Sequence, residues 1–308
     1  MNPSASRPVP GEQRPQGARL ERHDFRQLHR LRVRWAEVDL QQIVFNGHYL
    51  MYFDTAVAEH WRALALPYHA TMAALGGDLY VRKAELQYHA SARYDDQLEI
   101  GVRCQRIGNS SMVLGCAVFR GPQRLVDGEL VYVYADPATQ RSKPLPQPLR
   151  DVLLGYEAGE SMVQVAVGDW RALGAEAHAI RREVFVDEQQ VPAELEHDAA
   201  DLASATHALA RNRLGLALAT GRWVPQDDGG LPVARIGRMA VRASMRGGSV
   251  GRQVLDALLD SARAAGCRQA LLHAQASAIG FYLRAGFAPR GERFVEAGIE
   301  HLEMVKAL

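Results

Sequence analysis

Asp136-Pro-Ala-Thr-Gln-Arg-Ser-Lys-Pro-Leu-Pro-Gln-Pro148 decides how the rest of the chain is read. The prolines at 137, 144, 146 and 148 remove amide donors and push the residues before them out of the helical region. Neither a helix nor a central strand therefore runs through this stretch. Regular apolar patterning lies on both sides of it, which predicts two domains. The 308 residues, 47% of them apolar, supply material for two cores, and a domain of about 150 residues has the usual size.

Bulk properties exclude several classes. A net charge of +1 predicts no dominant nucleic-acid surface. The three cysteines, Cys104, Cys116 and Cys267, form no C-x-x-C pair and are too few for a disulfide framework. They read as small buried hydrophobes in a reducing cytosol, so the expected location is cytoplasmic. No run of eighteen apolar residues exists, so no helical membrane span is expected. The first thirty residues carry Arg7, Arg14, Arg19, Arg22, Arg26 and Arg30 without an apolar core segment. They lack the pattern of a secretory signal, and residues 1–24 read as a disordered tail.

Upstream of the proline run, Leu28 to Trp35 alternates as a strand with one buried face. From Gly47 the period changes: Leu50, Phe53, Val57, Trp61 and Leu64 recur at helical spacing, predicting a helix that ends near Pro67. Four strand-like runs follow at 80–90, 97–106, 111–119 and 124–134, separated by turn signals. One strand, one long helix and four strands predict an antiparallel sheet wrapped on a single helix.

Arg34-Trp-Ala-Glu-Val-Asp39-Leu-Gln-Gln-Ile-Val-Phe-Asn-Gly-His-Tyr49-Leu-Met-Tyr-Phe53 resembles the signature of hotdog-fold acyl-CoA thioesterases of the 4-hydroxybenzoyl-CoA and YbgC type. The likeness extends through Arg93–Leu98, Ile107–Ser111 and Asp136–Pro146. It implies an α+β hotdog domain over 25–146 in which Asp39 is catalytic, attacking a thioester carbonyl or activating water. Backbone amides at Asn46, Gly47 and His48, at a helix start, would form the oxyanion site. Taken alone, Asp39 reads as a turn residue or helix cap, and Glu37 is equally a solvated strand charge or a functional one. The chain departs from the family at Gln42, where a glycine is usual, and at Asn46, where a histidine is common. A residue other than glycine at 42 resists positive φ, so an altered loop path is expected. The resemblance also implies a homodimer or homotetramer built through hotdog domains.

A linker is expected over 147–160, with Leu149, Val152, Leu153, Leu154 and Tyr156 suggesting a docked helical turn or two. From Ser161 the pattern restarts. Val163, Val165 and Val167 alternate, a helix is predicted over Trp170–Phe185, strands over His207–Arg211 and Gly215–Arg222, and alternation returns in Val233–Val241. Strands interleaved with helices predict an α/β layer. The turn Arg246-Gly-Gly-Ser-Val-Gly251 opens a helix carrying Val254, Leu255, Leu258, Leu259 and Ala262, a pattern that gathers free amides at one point and suits a phosphate.

Together with Gly280-Phe-Tyr-Leu-Arg-Ala-Gly-Phe287, this region is similar to the acetyl-CoA-binding core of the GCN5-related N-acetyltransferases. Val184–Asp198 resembles their ElaA-like branch. The resemblance implies an α/β mixed-sheet acetyltransferase domain over 161–308. It implies that Met239, Ala240 and Val241 hold the pantetheine like an added strand, and that Arg246, Gly247, Gly248, Ser249, Val250, Gly251 and Arg252 hold the pyrophosphate. Tyr282 matches the family tyrosine that protonates the departing CoA thiolate; as a bare residue it is equally a core aromatic beside Phe281. The sequence identifies no general base: Glu188, Glu196, Asp198 and His273 are candidates, and each also reads as a solvated or structural residue. The expected substrates are acyl-CoA and acetyl-CoA with an unidentified amine, and no metal, membrane or nucleic acid is expected. The leading expectation is a bifunctional CoA enzyme. Two others stand beside it: a hotdog module that only dimerises or binds CoA next to an active acetyltransferase, and a non-catalytic CoA-responsive protein.

Overall fold

The computed structural model describes residues 20–196 and 198–308. Residues 1–19, which hold most of the expected tail, and His197 of the Val184–Asp198 motif lie outside the described residues. The chain divides into two compact units, one through Met162 and the other Val163–Leu308.

The first unit is a hotdog. Strands β1 (Leu28–Arg32), β2 (Asp78–Tyr88), β3 (Gln97–Ile107), β4 (Ser111–Arg120) and β5 (Gln123–Ala135) form one antiparallel sheet in the order β1-β3-β4-β5-β2. Helix α1 (Asn46–Ala63) lies along it, burying Tyr49, Phe53, Ala56, Val57 and Trp61. Of the stripe read from the sequence, Phe53, Val57, Trp61 and Leu64 dock, while Leu50 stays exposed and Tyr49 is buried in its place. Full burial of side chains this large stabilises the unit by about 1.5–3 kcal/mol each.

Strand β4 is buried along nearly its whole length because both faces of the sheet are covered. The second cover is Leu20 and Phe25, which pack with Ala117 and Phe119. Gly101 makes room, since a Cβ there would meet the Phe25 ring at 2.2 Å. The sequence placed all of 1–24 in the tail; residues 20–24 instead fold onto the sheet, because Leu20 has an apolar face to cover and Arg22 pairs with Glu99 at 2.6 Å.

A short helix α2 (Tyr68–Leu75), unforeseen because it lacks a polar face, closes on Gly76 at φ +71°. Helix α3 (Gln147–Glu157) occupies most of the expected linker. It buries Leu149, Val152, Leu153 and Tyr156 within the first unit, where Glu157 accepts the Cys104 amide at 2.9 Å.

The second unit is a seven-stranded mixed sheet with the order β11-β12-β10-β9-β8-β7-β6. Its strands are β6 (Val163–Gly168), β7 (Thr206–Asn212), β8 (Ala217–Asp228), β9 (Leu231–Val241), β10 (Gln269–Gln275), β11 (Ala288–Glu296) and β12 (Ile299–Ala307). Helix α4 (Trp170–Arg181) packs Leu173, Ala177 and Ile180 against Leu209 and Ala240, and widens into π-type turns over Arg182–Glu188. Short helices α5 (Ala193–Glu196) and α6 (Ala200–Ala203) follow. On the opposite face α7 (Val250–Ala264) presses Val254 and Leu258 over Gly221. Helix α8 (Ile279–Arg284) precedes the β11–β12 hairpin.

All pairings are antiparallel except β9 with β10, which run parallel only from Val233–Gln269 to Ile236–Leu272. Beyond that point β9 continues through Gly237–Val241 on β8 alone, with a bulge opposite Thr220–Arg222 where Arg238 takes φ +53°. The sheet is therefore split at its centre, with an unpaired strand edge on the β10 side.

Candidate functional site

In the first unit, β1 leads into a tight turn at Trp35–Glu37. Glu37 is buried, and its carboxylate accepts bonds from Arg34 N at 2.8 Å, Arg34 Nε at 2.7 Å and Tyr52 Oη at 2.8 Å. Burial pushes this carboxyl up, but the bonds from Arg34 and Tyr52 outweigh it and hold it below the usual carboxylate range. Glu37 is thus not the solvated charge the sequence allowed; it ties the loop to α1.

Asp39 is half-buried one turn later. Its Oδ1 accepts from Gln41 N at 2.8 Å, its carbonyl from Gln42 N at 2.9 Å, and its own amide donates to Ile43 O at 2.9 Å. Among the described residues nothing bonds Oδ2. Gln42 takes φ +60°, the conformation a glycine would adopt freely. The expected detour is therefore absent: the loop follows the left-handed path at a cost of roughly 1–2 kcal/mol of backbone strain.

The loop returns through Phe45, whose amide donates to Glu37 O at 2.9 Å, and α1 begins at Asn46. His48 N donates to Phe45 O at 2.9 Å, so of the three expected oxyanion amides His48 is occupied. Asn46 and Gly47 precede any intrahelical bond and sit exposed in the first turn. Tyr88 Oη donates to Asn46 O at 3.2 Å, bringing β2 to the same place. Phe45, Leu50, Met51 and Tyr88 are exposed around this helix start, apolar surface of the kind an acyl chain or a second subunit covers.

In the second unit the glycine turn stands at the open edge of β9. Gly247 takes φ +80°, Ser249 keeps φ −87°, and the first helical bond runs from Gln253 N to Ser249 O at 3.0 Å. The amides of Val250, Gly251 and Arg252 therefore precede the ladder. A Cβ on Gly251 would stand 3.1 Å from Val241 Cγ2 and 4.0 Å from the Phe281 ring, so this glycine lets α7 start against both β9 and α8. Met239 and Val241 are half-buried on the split edge, and Ala240 faces the α4 core.

The two arginines expected to hold the pyrophosphate are engaged by carboxylates. Arg246 grips Glu188 through Nη1 and Nη2 at 2.5 and 2.6 Å, and its Nε donates to Val241 O at 3.0 Å. Arg252 Nε meets both oxygens of Asp256 at 2.8 and 2.9 Å. Tyr282 is buried, edge-on to Phe281 at 5.0 Å and Phe287 at 5.8 Å, and burial pushes its hydroxyl up.

Of the four candidate bases three are committed elsewhere. Glu188 holds Arg246. Glu196, 2% exposed, bonds Arg181 Nε at 2.5 Å, and Asp198 pairs with Arg222. Asp201, which the sequence reading did not single out, completes the network, accepting from Arg181 at 2.9 and 3.1 Å and from Arg222 at 2.5 Å. An arginine at 181, on the helix face that carries Ala177, Ile180 and Val184, was the available signal. His273 remains, at 3.2 Å from Glu296.

Residues 41–126 match the thioesterase superfamily and residues 171–308 the acetyltransferase (GNAT) domain. The first match begins just after Asp39. The uncharacterized N-acetyltransferase YjcF of Bacillus subtilis is 35% identical over 132 residues, covering 42% of this chain and 90% of the relative. The acyl-CoA thioester hydrolase YbgC of Escherichia coli is 27% identical over 120 residues, covering 39% of this chain and 89% of the relative. The crystal structure of a 1,4-dihydroxy-2-naphthoyl-CoA thioesterase from Synechocystis superposes with a TM-score of 0.39 at 16% identity, covering 41% of this chain and 94% of that one. The chain belongs to the GNAT acetyltransferase family through its second unit and carries a thioesterase-superfamily hotdog domain in its first.

Proposed function

We propose that the protein is a bifunctional CoA enzyme, hydrolysing an acyl-CoA thioester in the hotdog domain and transferring acetyl from acetyl-CoA to an amine in the GNAT domain. One observation carries the reading: the open edge of β9 at Gly237–Val241 lies directly before the free amides of the Val250–Arg252 turn. An extended pantetheine adds to that edge as a strand while its pyrophosphate meets the helix start. Direct transfer then needs alignment of amine and thioester, and a proton for the leaving thiolate, which Tyr282 supplies.

In the hotdog domain, Asp39 attacks the thioester carbonyl or activates water, and the amides of Asn46 and Gly47 stabilise the oxyanion. Exposed β2 and the apolar side chains near Asn46 support a homodimer or homotetramer with the acyl site at the interface, and the three buried free thiols suit a cytosolic setting. A second reading, a hotdog domain that only binds CoA or dimerises, is favoured by the bond from Gln41 that ties up Asp39 Oδ1.

Thiol release from a panel of acyl-CoA esters tests the first half: Asp39→Asn lowers kcat at least about a hundredfold. A variant as fast as the parent removes the thioesterase assignment. For the second half, Gly251→Glu sets bulk 3.1 Å from Val241 and negative charge into the turn. Calorimetry should show no acetyl-CoA binding; unchanged affinity eliminates the site.

A further inference from the structure

We propose that His273 is the general base of acetyl transfer and that the acidic rim around it selects a small cationic amine; this rests on the acetyl-transfer reading of the second unit. His273 is the first residue of β10 beyond its last pairing with β9, Leu272 with Ile236, so it stands where the sheet splits. Two residues on, Gln275 Nε2 donates to Gln189 Oε1 at 3.0 Å, which ties this part of β10 to the segment after α4.

The imidazole is partly exposed and held from two sides. Its Nδ1 lies 3.2 Å from Glu296 Oε2 on β11, and its Nε2 lies 3.7 Å from Glu303 Oε2, on the β12 residue paired with it across the sheet. Phe294 packs edge-on against the ring at 4.8 Å and is stacked in turn on His301. Arg290 neutralises Glu303, and Asp228 lies behind Arg290 at 3.2 Å. Glu296, about half exposed, is left as the open carboxylate of the rim.

This arrangement sets the proton path. With Nδ1–H donated to Glu296, Nε2 carries the lone pair. It takes one proton from the incoming ammonium, and the resulting imidazolium lies between two carboxylates. The amine lone pair then attacks the acetyl carbonyl carbon, the N–C bond forms as the C–S bond breaks, and the second amine proton passes to the CoA thiolate. His273 returns its proton to water, so an ammonium and acetyl-CoA give an amide, CoA and one proton. Carboxylates with a flanking aromatic ring recognise a cation by charge and by the ring face.

The test uses the full chain, acetyl-CoA and three amines of equal length: 1,5-diaminopentane, pentylamine and 5-aminopentanoate. The diamine should exceed the aminopentanoate in kcat/KM by about fivefold or more, and Glu296→Gln should shrink that ratio. His273→Gln should lower kcat for the diamine about a hundredfold with calorimetric CoA affinity unchanged. Imidazole added to His273→Ala should restore part of the rate, which it would not do for a misfolded variant. Parental kcat in His273→Gln, preference for the aminopentanoate, or no transfer to any of the three by protein that binds acetyl-CoA overturns the inference alone. Failure of the parent to bind acetyl-CoA instead removes the acetyl-transfer reading on which it rests.

Discussion

Acidification should weaken the first unit in part through His60. This imidazole sits on α1 at 4% exposure, edge-on to Tyr156 of α3 at 5.2 Å, and its Nε2 has no hydrogen-bond partner among the described residues. A void of about 10 Å³ beside it, bordered by Gln27, His29, Ala56, Glu59, Ile100 and Val102, has room for one water at most. Burial pushes the group down from 6.5 to about 4. The folded pKa is below the unfolded one, so the fold favours the neutral ring. Its contribution is complete above about pH 6.5 and is lost as pH falls toward 4.

At about 1.4 kcal/mol per pKa unit, the full loss is on the order of 3 kcal/mol, most of it gone by about pH 4.5. Glu157 on α3 acts in the opposite sense, because burial pushes its carboxyl up, so the comparison must hold it constant. His60→Phe does so while keeping an edge-on ring against Tyr156. Hydrogen-exchange mass spectrometry of the full chain, read on peptides from α1 and β3 at pH 7 and 4.5, gives opening free energies for this unit alone. The parent should lose about 2 kcal/mol more than His60→Phe over that interval. Parallel losses in the two proteins would refute the argument.

Two further outcomes follow from backbone and charge. Gln42→Gly relieves the left-handed residue at φ +60° and should raise stability by a few tenths to about 1 kcal/mol in urea unfolding, the extra freedom of glycine in the unfolded chain offsetting part of the gain. A loss of stability would show that the glutamine side chain holds the loop. Asp201→Ala leaves the buried guanidiniums of Arg181 and Arg222 short of a shared acceptor and should destabilise the second unit by about 3–5 kcal/mol. Hydrogen exchange on α4 and β8 reads it, and unchanged protection would mean that the network is not a stabilising element.

The sequence disclosed those parts whose cause is local. Helix α1 and strands β3 to β5 were legible because every third or fourth, or every second, residue faces a core. The glycine turn before α7 was legible because its amides need no distant partner. What escaped depends on residues far apart in the chain. Glu37 is buried only because Tyr52 reaches it, and Arg246 is engaged only because Glu188 lies 58 residues earlier. The β11–β12 hairpin, and with it the surroundings of His273, escaped because both of its faces are largely polar, so Ala288–Ala307 shows no clear period. Gln42 shows the same limit at one residue: its side chain gives no sign of the φ that the bonds around Asp39 impose.

Strand β2 ends the first sheet as an eleven-residue edge, and Lys83 and Glu85 on it lie 2.5 Å apart. An edge of this length invites another strand. If two copies pair antiparallel along it, a two-fold axis at Ala84 sets Lys83 against the partner's Glu85 on both sides. An axis at Lys83 or at Glu85 sets like charges face to face, which is unfavourable. The order of two charges then acts as a register mark, admitting one alignment of the strands and opposing the nearest slips that keep the same faces together, two residues in either direction.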